Sequence, residues 1–361
     1  MPPGTAQTPD VQTLPGSPRK DGNPRVLTLQ DIAAACGVSA TSVSQCLRDE
    51  NNPRFSEKTR MLIQETARKM GYVPNLWAAG LREGRTNFLS MVVPWNTPEM
   101  LDAAETEAKL HGFTLAIHFS VSPDLDAERT ALRHAIAQRV DGLLWLPSDT
   151  AWKYTRTLEL IRTTGTRTAF LESALPGLPD GGLVEIDYRT PMRQALDQLV
   201  ATGCRTLIML ATGTNHRMRA GRVEFLREYC TAQALDCHVI EGQDPEQIHE
   251  ILSACGTGAG ILCGSDWIGL RVLDYARSAG IRIPEDLQVL VIGDILVGGQ
   301  FRITEICSPK MSAIRRPSGE MARTAVRLLI DNIASGERQP VGHRLLQAEY
   351  IPRETTLPAT T

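Results

Sequence analysis

No run of 18 or more apolar residues occurs anywhere in the 361 residues, so no membrane-spanning helix is expected. The opening Met1-Pro-Pro-Gly-Thr-Ala-Gln7 lacks a charged stretch followed by an apolar one, and is not read as a secretory signal. Eight cysteines are present but no Cys-x-x-Cys, and most of them sit inside apolar patterns such as Ile261-Leu-Cys-Gly264. They read as reduced core thiols of a cytoplasmic protein, with neither disulfide nor zinc. There is no Gly-x-x-x-x-Gly-Lys-Ser/Thr, no Gly-x-Ser-x-Gly and no His-Glu-x-x-His, and the seven histidines show no metal-ligand spacing. Gly256-Thr-Gly-Ala-Gly260 is glycine-rich, but it precedes an apolar strand pattern where a dinucleotide loop would follow one. These absences set an enzyme aside, and no catalytic residue, metal or cofactor is expected. A net charge of −3 argues against a chain that coats nucleic acid along its length. The charge is uneven, however. Residues 25–85 carry nine Lys/Arg against six Asp/Glu, a modestly basic module on an acidic body.

That module holds the most informative stretch, Leu29 to Leu47. Leu29, Ile32, Ala33 and Cys36 recur at helical spacing, and Thr28 with Asp31 has the spacing of a capping box. Gly37 falls where the chain must turn, a position that favours a residue tolerant of positive φ. Ser39 caps a second helix whose Val43, Cys46 and Leu47 face inward, leaving Ala40, Thr41, Ser42, Ser44 and Gln45 outward. Two short helices with a tight turn between them make a helix-turn-helix, whose outward residues would face DNA bases; a helical hairpin on some other domain has the same spacing. Ser56 then caps a third helix with Thr59, Ile63, Ala67 and Met70 inward and Gly71 at its end. Residues 76–81 read as one or two marginal helical turns, weakened by Gly80 by about 1 kcal/mol relative to alanine.

From Asn87 the pattern alternates. Strands are expected at Phe88–Val93, Phe113–Phe119, Val140–Leu146 and Thr168–Leu171, then at Thr206–Leu210, His238–Ile240, Ala259–Cys263 and Val289–Ile292. Helical patterns separate them, among them Pro245–Ala254, and a last helix, Ser318–Ile333, precedes a strand-like Leu345–Tyr350. Apolar strands joined by helices mean parallel sheets covered on both faces. The expected fold is therefore an all-α helix-turn-helix head followed by two doubly wound α/β lobes, with a ligand between the lobes at strand C-terminal ends. The domain plan is a disordered proline-rich tail at 1–26, the head at 27–75, a hinge at 76–86 and a core at 87–355. The first lobe is placed at about 87–185 and 308–337, the second at about 186–307 and 338–355.

Specific segments then resemble the LacI/GalR family of bacterial transcription regulators. They are Gly37-Val-Ser39 with Val43-Ser44, Ser56-Glu-Lys-Thr-Arg60, Gly71-Tyr-Val-Pro-Asn75, Arg139-Val-Asp-Gly-Leu143, Ser265-Asp266, Gly280-Ile-Arg-Ile-Pro-Glu-Asp286 and Ile314-Arg-Arg-Pro317. The resemblance implies a homodimer that binds a near-palindromic operator on double-stranded DNA as a repressor. It also implies a periplasmic-binding-protein-like core holding a small-molecule, sugar-like effector; a regulator with no effector or an atypical one is the alternative. It puts base contacts on Ala40, Thr41 and Gln45, where the family usually has arginine at the last position. Phosphate contacts fall to Thr28, Ser39, Ser44, Asn52 and Arg54, and a minor-groove wedge to Leu81 with Arg82 beside it. Ala78-Ala79 departs from the family's Ala-Arg ahead of that wedge. For the effector it suggests Asp266 as acceptor for ligand hydroxyls, with Trp267 able to stack on a sugar face. Asp266 equally fits a helix cap, standing before an apolar run. Trp95, Glu172 and Asp294 are further candidates at strand ends. The family's arginine three residues before the helix glycine falls on Met218, with Arg217 and Arg219 beside it.

Overall fold

A computed structural model describes residues 27–49, 52–73, 85–94, 97–120, 125–148, 151–173, 178, 181–211, 216–241, 250, 258–336 and 341–358. The tail at 1–26, the hinge with Leu81 and Arg82, Trp95 and most of the expected helix Pro245–Ala254 lie outside the described residues. The chain divides into two units, Met1–Gly84 and Arg85–Thr361.

The first unit holds α1 (Leu29–Cys36), α2 (Ala40–Arg48) and α3 (Glu57–Met70). Asp31 takes hydrogen bonds from both the backbone N–H of Thr28 (2.8 Å) and its hydroxyl (2.7 Å), which fixes the start of α1. Gly37 ends the helix in the left-handed region at φ 66°, the conformation that lets α2 turn back at once. Ile32, Ala33, Val43, Cys46, Ile63 and Ala67 close a core common to all three helices, with Leu47, Phe55 and Met70 against it. Fully burying a side chain such as Ile32 or Ile63 is worth about 1.5–3 kcal/mol, and so small a core depends on each of them.

The second unit contains two six-stranded sheets. The first lobe runs β1 (Phe88–Val93), α4 (Pro98–Leu110), β2 (Thr114–Phe119), α5 (Leu125–Ala137), β3 (Gly142–Trp145), a single 3-10 turn (Ala151–Tyr154), α6 (Thr155–Thr164), β4 (Arg167–Leu171) and β5 (Gly182–Asp187). The second runs α7 (Arg189–Ala201), β6 (Thr206–Ala211), α8 (His216–Gln233), β7 (Asp236–Glu241), β8 (Ala259–Cys263), α9 (Asp266–Ala279) and β9 (Leu287–Gly293). A two-residue ribbon, β10 (Leu296–Val297) with β11 (Phe301–Arg302), and a short α10 (Ile303–Ile306) lead to β12 (Ser312–Arg315). Helix α11 (Ser318–Ser335), β13 (His343–Gln347) and β14 (Glu349–Ile351) complete the core.

Strand order is β13-β5-β4-β3-β1-β2 in one sheet and β14-β12-β9-β8-β6-β7 in the other. Every pair is parallel except β12 with β14. Strands β1, β3, β8 and β9 are buried along their whole length, as expected of strands with cover on both faces. Helix α11 turns Met321, Ala322, Ala325, Val326, Leu329 and Ile333 onto the first sheet.

Three corrections to the expected lobe boundaries follow. Residues 186 and 187 belong to the first sheet, because β5 pairs with β13 through Asp187. The segment 312–315, placed in the first lobe, is β12 and pairs with β9 of the second. The expected single strand Leu345–Tyr350 breaks at Ala348, leaving β13 in the first sheet and β14 in the second. The chain thus crosses between lobes at three places: after Asp187, after Arg315 and at Ala348. Ala348 donates its N–H to the carbonyl of Asp187 (3.2 Å), which binds two of these crossings together.

Candidate nucleic-acid interface and interlobe site

In the head, Ser39 Oγ accepts from the N–H of Ser42 (3.0 Å) and lies 2.9 Å from its hydroxyl, so the first turn of α2 is held rigidly. Thr41 is then exposed, and Ala40, Ser44 and Gln45 half-exposed, while Val43 and Cys46 are buried beneath them. Asn52 Oδ1 accepts from the N–H of Arg54 (3.1 Å) in the loop before α3, and the Arg54 side chain is exposed. Thr28 is exposed at the start of α1, its hydroxyl already donated to Asp31. Six of the eight described candidates therefore lie at or before helix starts, where N–H groups and hydroxyls suit phosphate contacts, while Ser44 and Gln45 lie mid-way along α2 on its outward side. Replacing Ser39 with alanine should cost about 1 kcal/mol of local stability. Amide hydrogen exchange in α2 measures it; unchanged protection would show that the cap contributes nothing.

The second constellation lies where the chain crosses between the lobes. Glu172 follows β4 in the left-handed region, at φ 63°, and its carboxylate is buried. One oxygen, Oε1, is paired with Nη2 of Arg316, which follows β12, and accepts from the hydroxyl of Tyr188 (3.4 Å), which follows β5. Burial pushes the Arg316 guanidinium down to about 10, against the raising charge of Glu99. Arg222 of α8 stacks over the Tyr188 ring, its Cζ 4.1 Å from the centroid. Burial raises the Tyr188 phenol, partly opposed by the Arg222 charge. Four segments distant in sequence thus meet through side chains. Nearby, Arg302 of β11 reaches Glu99 of α4 at 3.8 Å, a contact from one lobe to the other.

The remaining effector candidates fare differently. Asp266, expected as ligand acceptor or helix cap, is a structural post in the described residues. Its carboxylate has no exposure and accepts from the N–H groups of Asp294 (2.9 Å) and Ile295 (2.5 Å), tying α9 to the end of β9. It is the first residue of α9 and not its cap, which is Ser265. Burial raises its pKa, and the two backbone hydrogen bonds work against that. Gly293 is required here, because a Cβ would collide with Oδ1 of Asp266. Asp294, at φ 65°, is likewise turned into protein. It accepts from Arg315 Nε (2.6 Å), Arg353 Nη2 (3.2 Å) and the Thr304 hydroxyl. Trp267 is 60% exposed and packs into no core. Arg219 lies on α8, its side chain outside the described residues along with Trp95. Of the four candidates whose side chains are described, only Glu172 joins the interlobe cluster. Tyr188, Arg222 and Arg316 were not anticipated as site residues; for Arg316 the one signal was its place in Ile314-Arg-Arg-Pro317.

A helix-turn-helix head ahead of a two-lobed, parallel-sheet core defines a DNA-binding transcriptional regulator and not an enzyme. Comparison with known proteins makes the assignment specific. Residues 28–75 match the model of bacterial regulatory proteins, lacI family, and residues 196–356 that of the periplasmic binding protein-like domain, together more than half of the chain. The chain belongs to the lacI family of bacterial regulatory proteins. It is 25% identical over 346 residues to the HTH-type transcriptional repressor CytR of Escherichia coli K12, covering 91% of this chain and 96% of the relative. A crystal structure of the lac repressor dimer bound to operator and the anti-inducer ONPF superposes with a TM-score of 0.76 at 21% identity, over 92% of this chain and all of that one. A complex of the transcriptional regulator CelR with cellobiose gives 0.64 at 24% identity, over 91% of this chain and 99% of that one.

Proposed function

We propose that this protein is a cytoplasmic repressor that binds a near-palindromic operator as a homodimer and is modulated by a small molecule held between its lobes. The observation that carries the first part is the head, where a capped α2 exposes Thr41 and half-exposes Ser44 and Gln45 over a closed three-helix core. In this reading Ala40, Thr41 and Gln45 meet base edges, while Thr28, Ser39, Ser44, Asn52 and Arg54 set register on phosphates. Leu81 and Arg82 act at the centre of the operator as wedge and phosphate contact. Two heads on one DNA require two copies, hence the dimer. The solved relatives that carry operator, ONPF and cellobiose support the DNA and effector roles.

Binding-site selection with the purified full-length chain tests this reading, and an enriched sequence with two related half-sites is expected. Operator affinity should then fall linearly on a plot of log K against log salt as counterions leave the phosphates. Recovery of no preferred sequence, or an affinity indifferent to salt, would refute it.

A further inference from the structure

Taking the interlobe cluster as the effector site, and resting on that reading, we propose that its ligand is a hydroxylated small molecule bearing an oxyanion, a carboxylate or phosphate, anchored by Arg222.

Arg222 is 8% exposed, and no carboxylate among the described residues pairs with it. Its guanidinium lies flat on Tyr188, leaving Nε and Nη2 buried with no hydrogen-bond partner. Those two nitrogens form one edge of the guanidinium, with parallel N–H bonds that match the two oxygens of a carboxylate or phosphate. Two further orphaned atoms belong to the same connected group, Oε2 of Glu172 and Nε of Arg316, and Oγ of Ser173, next in sequence to Glu172, is orphaned as well. These five are the majority of the eight buried side-chain polar atoms that lack a partner among the described residues. Buried polar atoms are bonded in nine cases of ten or more, so their concentration at one crossing of the lobes points to a place where a ligand would complete the bonding.

The charges decide what kind of occupant fits. Glu172 is matched by Arg316, its Oε1 engaged and its Oε2 open. Among the described residues, Arg222 is then a buried cation with Tyr188 beside it and no carboxylate to match it, and burial of an unmatched charge is costly. An uncharged sugar would satisfy N–H groups but leave that charge standing; an oxyanion satisfies both. The free Oε2 of Glu172 is an acceptor that asks for a donor, and a hydroxyl group on the ligand supplies it. Ser173, next in sequence, offers a second hydroxyl for the same region. A bare inorganic anion would leave Glu172 unmet.

The test is the melting temperature of the full-length protein at matched ionic strength. Gluconate, glucuronate, galacturonate and glucose 6-phosphate are the acid probes, glucose and galactose their neutral counterparts, and inorganic phosphate the bare anion. At least one acid should raise the melting temperature by about 5 °C at a hundredfold excess over its Kd, with no rise from its neutral counterpart. The carboxylate and phosphate arms identify which oxyanion is taken. Arg222→Gln should abolish the rise, and Arg222→Lys, which keeps the charge but loses the edge, should weaken binding at least tenfold. Without any probe, Arg222→Gln should melt no lower than wild type, because it removes an unmatched buried charge. A lower melting temperature would show that Arg222 is a structural post and would overturn the proposal. A rise from a neutral sugar that survives Arg222→Gln would overturn the acid class while leaving the effector cleft in place. Failure of every probe would overturn both.

Discussion

Replacing Asp294 with alanine is expected to destabilise the core by about 3 kcal/mol, the lower end of what removing one partner from a buried ion pair costs. The carboxylate is fully buried between Arg315 (2.6 Å) and Arg353 (3.2 Å), with Arg302 3.9 Å away. Alanine would leave those cations facing one another. The loss is held to the lower end because each arginine has a second, more exposed acid within reach. Glu349 lies 3.6 Å from Arg315, Glu305 3.2 Å from Arg353 and Glu99 3.8 Å from Arg302. Urea unfolding at neutral pH measures the change; a midpoint shift worth less than 1 kcal/mol would mean that water reaches the cluster and screens it.

The same carboxylate sets a pH dependence. Burial alone would raise its pKa, but hydrogen bonds from Thr304 and Arg315 and the charges of Arg353 and Arg315 outweigh this and hold it below 3.8. Its contribution is therefore complete above the unfolded value and is lost as pH falls through the lower, folded one. Asp266 works in the opposite sense. Its folded pKa is raised, so it costs stability as pH rises from 3.8 toward that value. The acid limb of wild type should therefore be shallow, and Asp294→Ala should make the protein less stable at neutral pH but relatively less sensitive to acid. Unfolding curves at pH 7 and at about pH 2, well below the unfolded value, separate the two, since a loss equal at both pH values would deny Asp294 its role.

Much of the fold was legible because it is written in local chemistry. Ser39, Ser56, Gly37 and Gly71 mark helix ends by what they do to the backbone within one turn, and the structure has each at the expected end. Strands β1 and β8 are short, continuous apolar runs and match the expected spans residue for residue. Besides the two-residue ribbon β10–β11, two strands of the main sheets escaped notice for physical reasons. In β5, Glu185 and Asp187 alternate with buried Val184 and Ile186, so no apolar run forms. In β12, four residues with serine first and arginine last carry too little pattern. Without those two strands the crossings were misplaced, and with them the residues that meet there. The site was hidden for the same reason. Glu172, Tyr188, Arg222 and Arg316 span 144 positions, and only the route of the chain between sheets brings them together. Asp266 shows a further limit. An acid at the start of an apolar helix reads alike whether it faces its own helix, a ligand or the amides of the next strand, and here it faces the strand.

Changing Gln45 to arginine is expected to move the base preference at one operator position toward G·C by about 1–3 kcal/mol, a roughly 5- to 150-fold change in relative affinity. Gln45 lies on α2 one turn beyond the exposed Thr41, half-exposed, with Cys46 beside it fixed in the core. The helix cannot rotate to hide the new side chain without withdrawing Val43 and Cys46 from that core, so arginine must point where glutamine does. A glutamine amide pairs both its donor and its acceptor with adenine N6 and N7, whereas a guanidinium offers donors alone and matches guanine O6 and N7. The chemistry predicts a switch of base, not a general gain in affinity. A contact from Gln45 to phosphate predicts the reverse: arginine would then strengthen binding to all sequences alike and steepen the salt dependence by about one phosphate. Parallel binding-site selections on wild type and variant, each repeated at two salt concentrations, discriminate the two. A shift confined to one base pair in each half-site places Gln45 in the major groove; identical selected sequences with a steeper salt slope place it on the backbone.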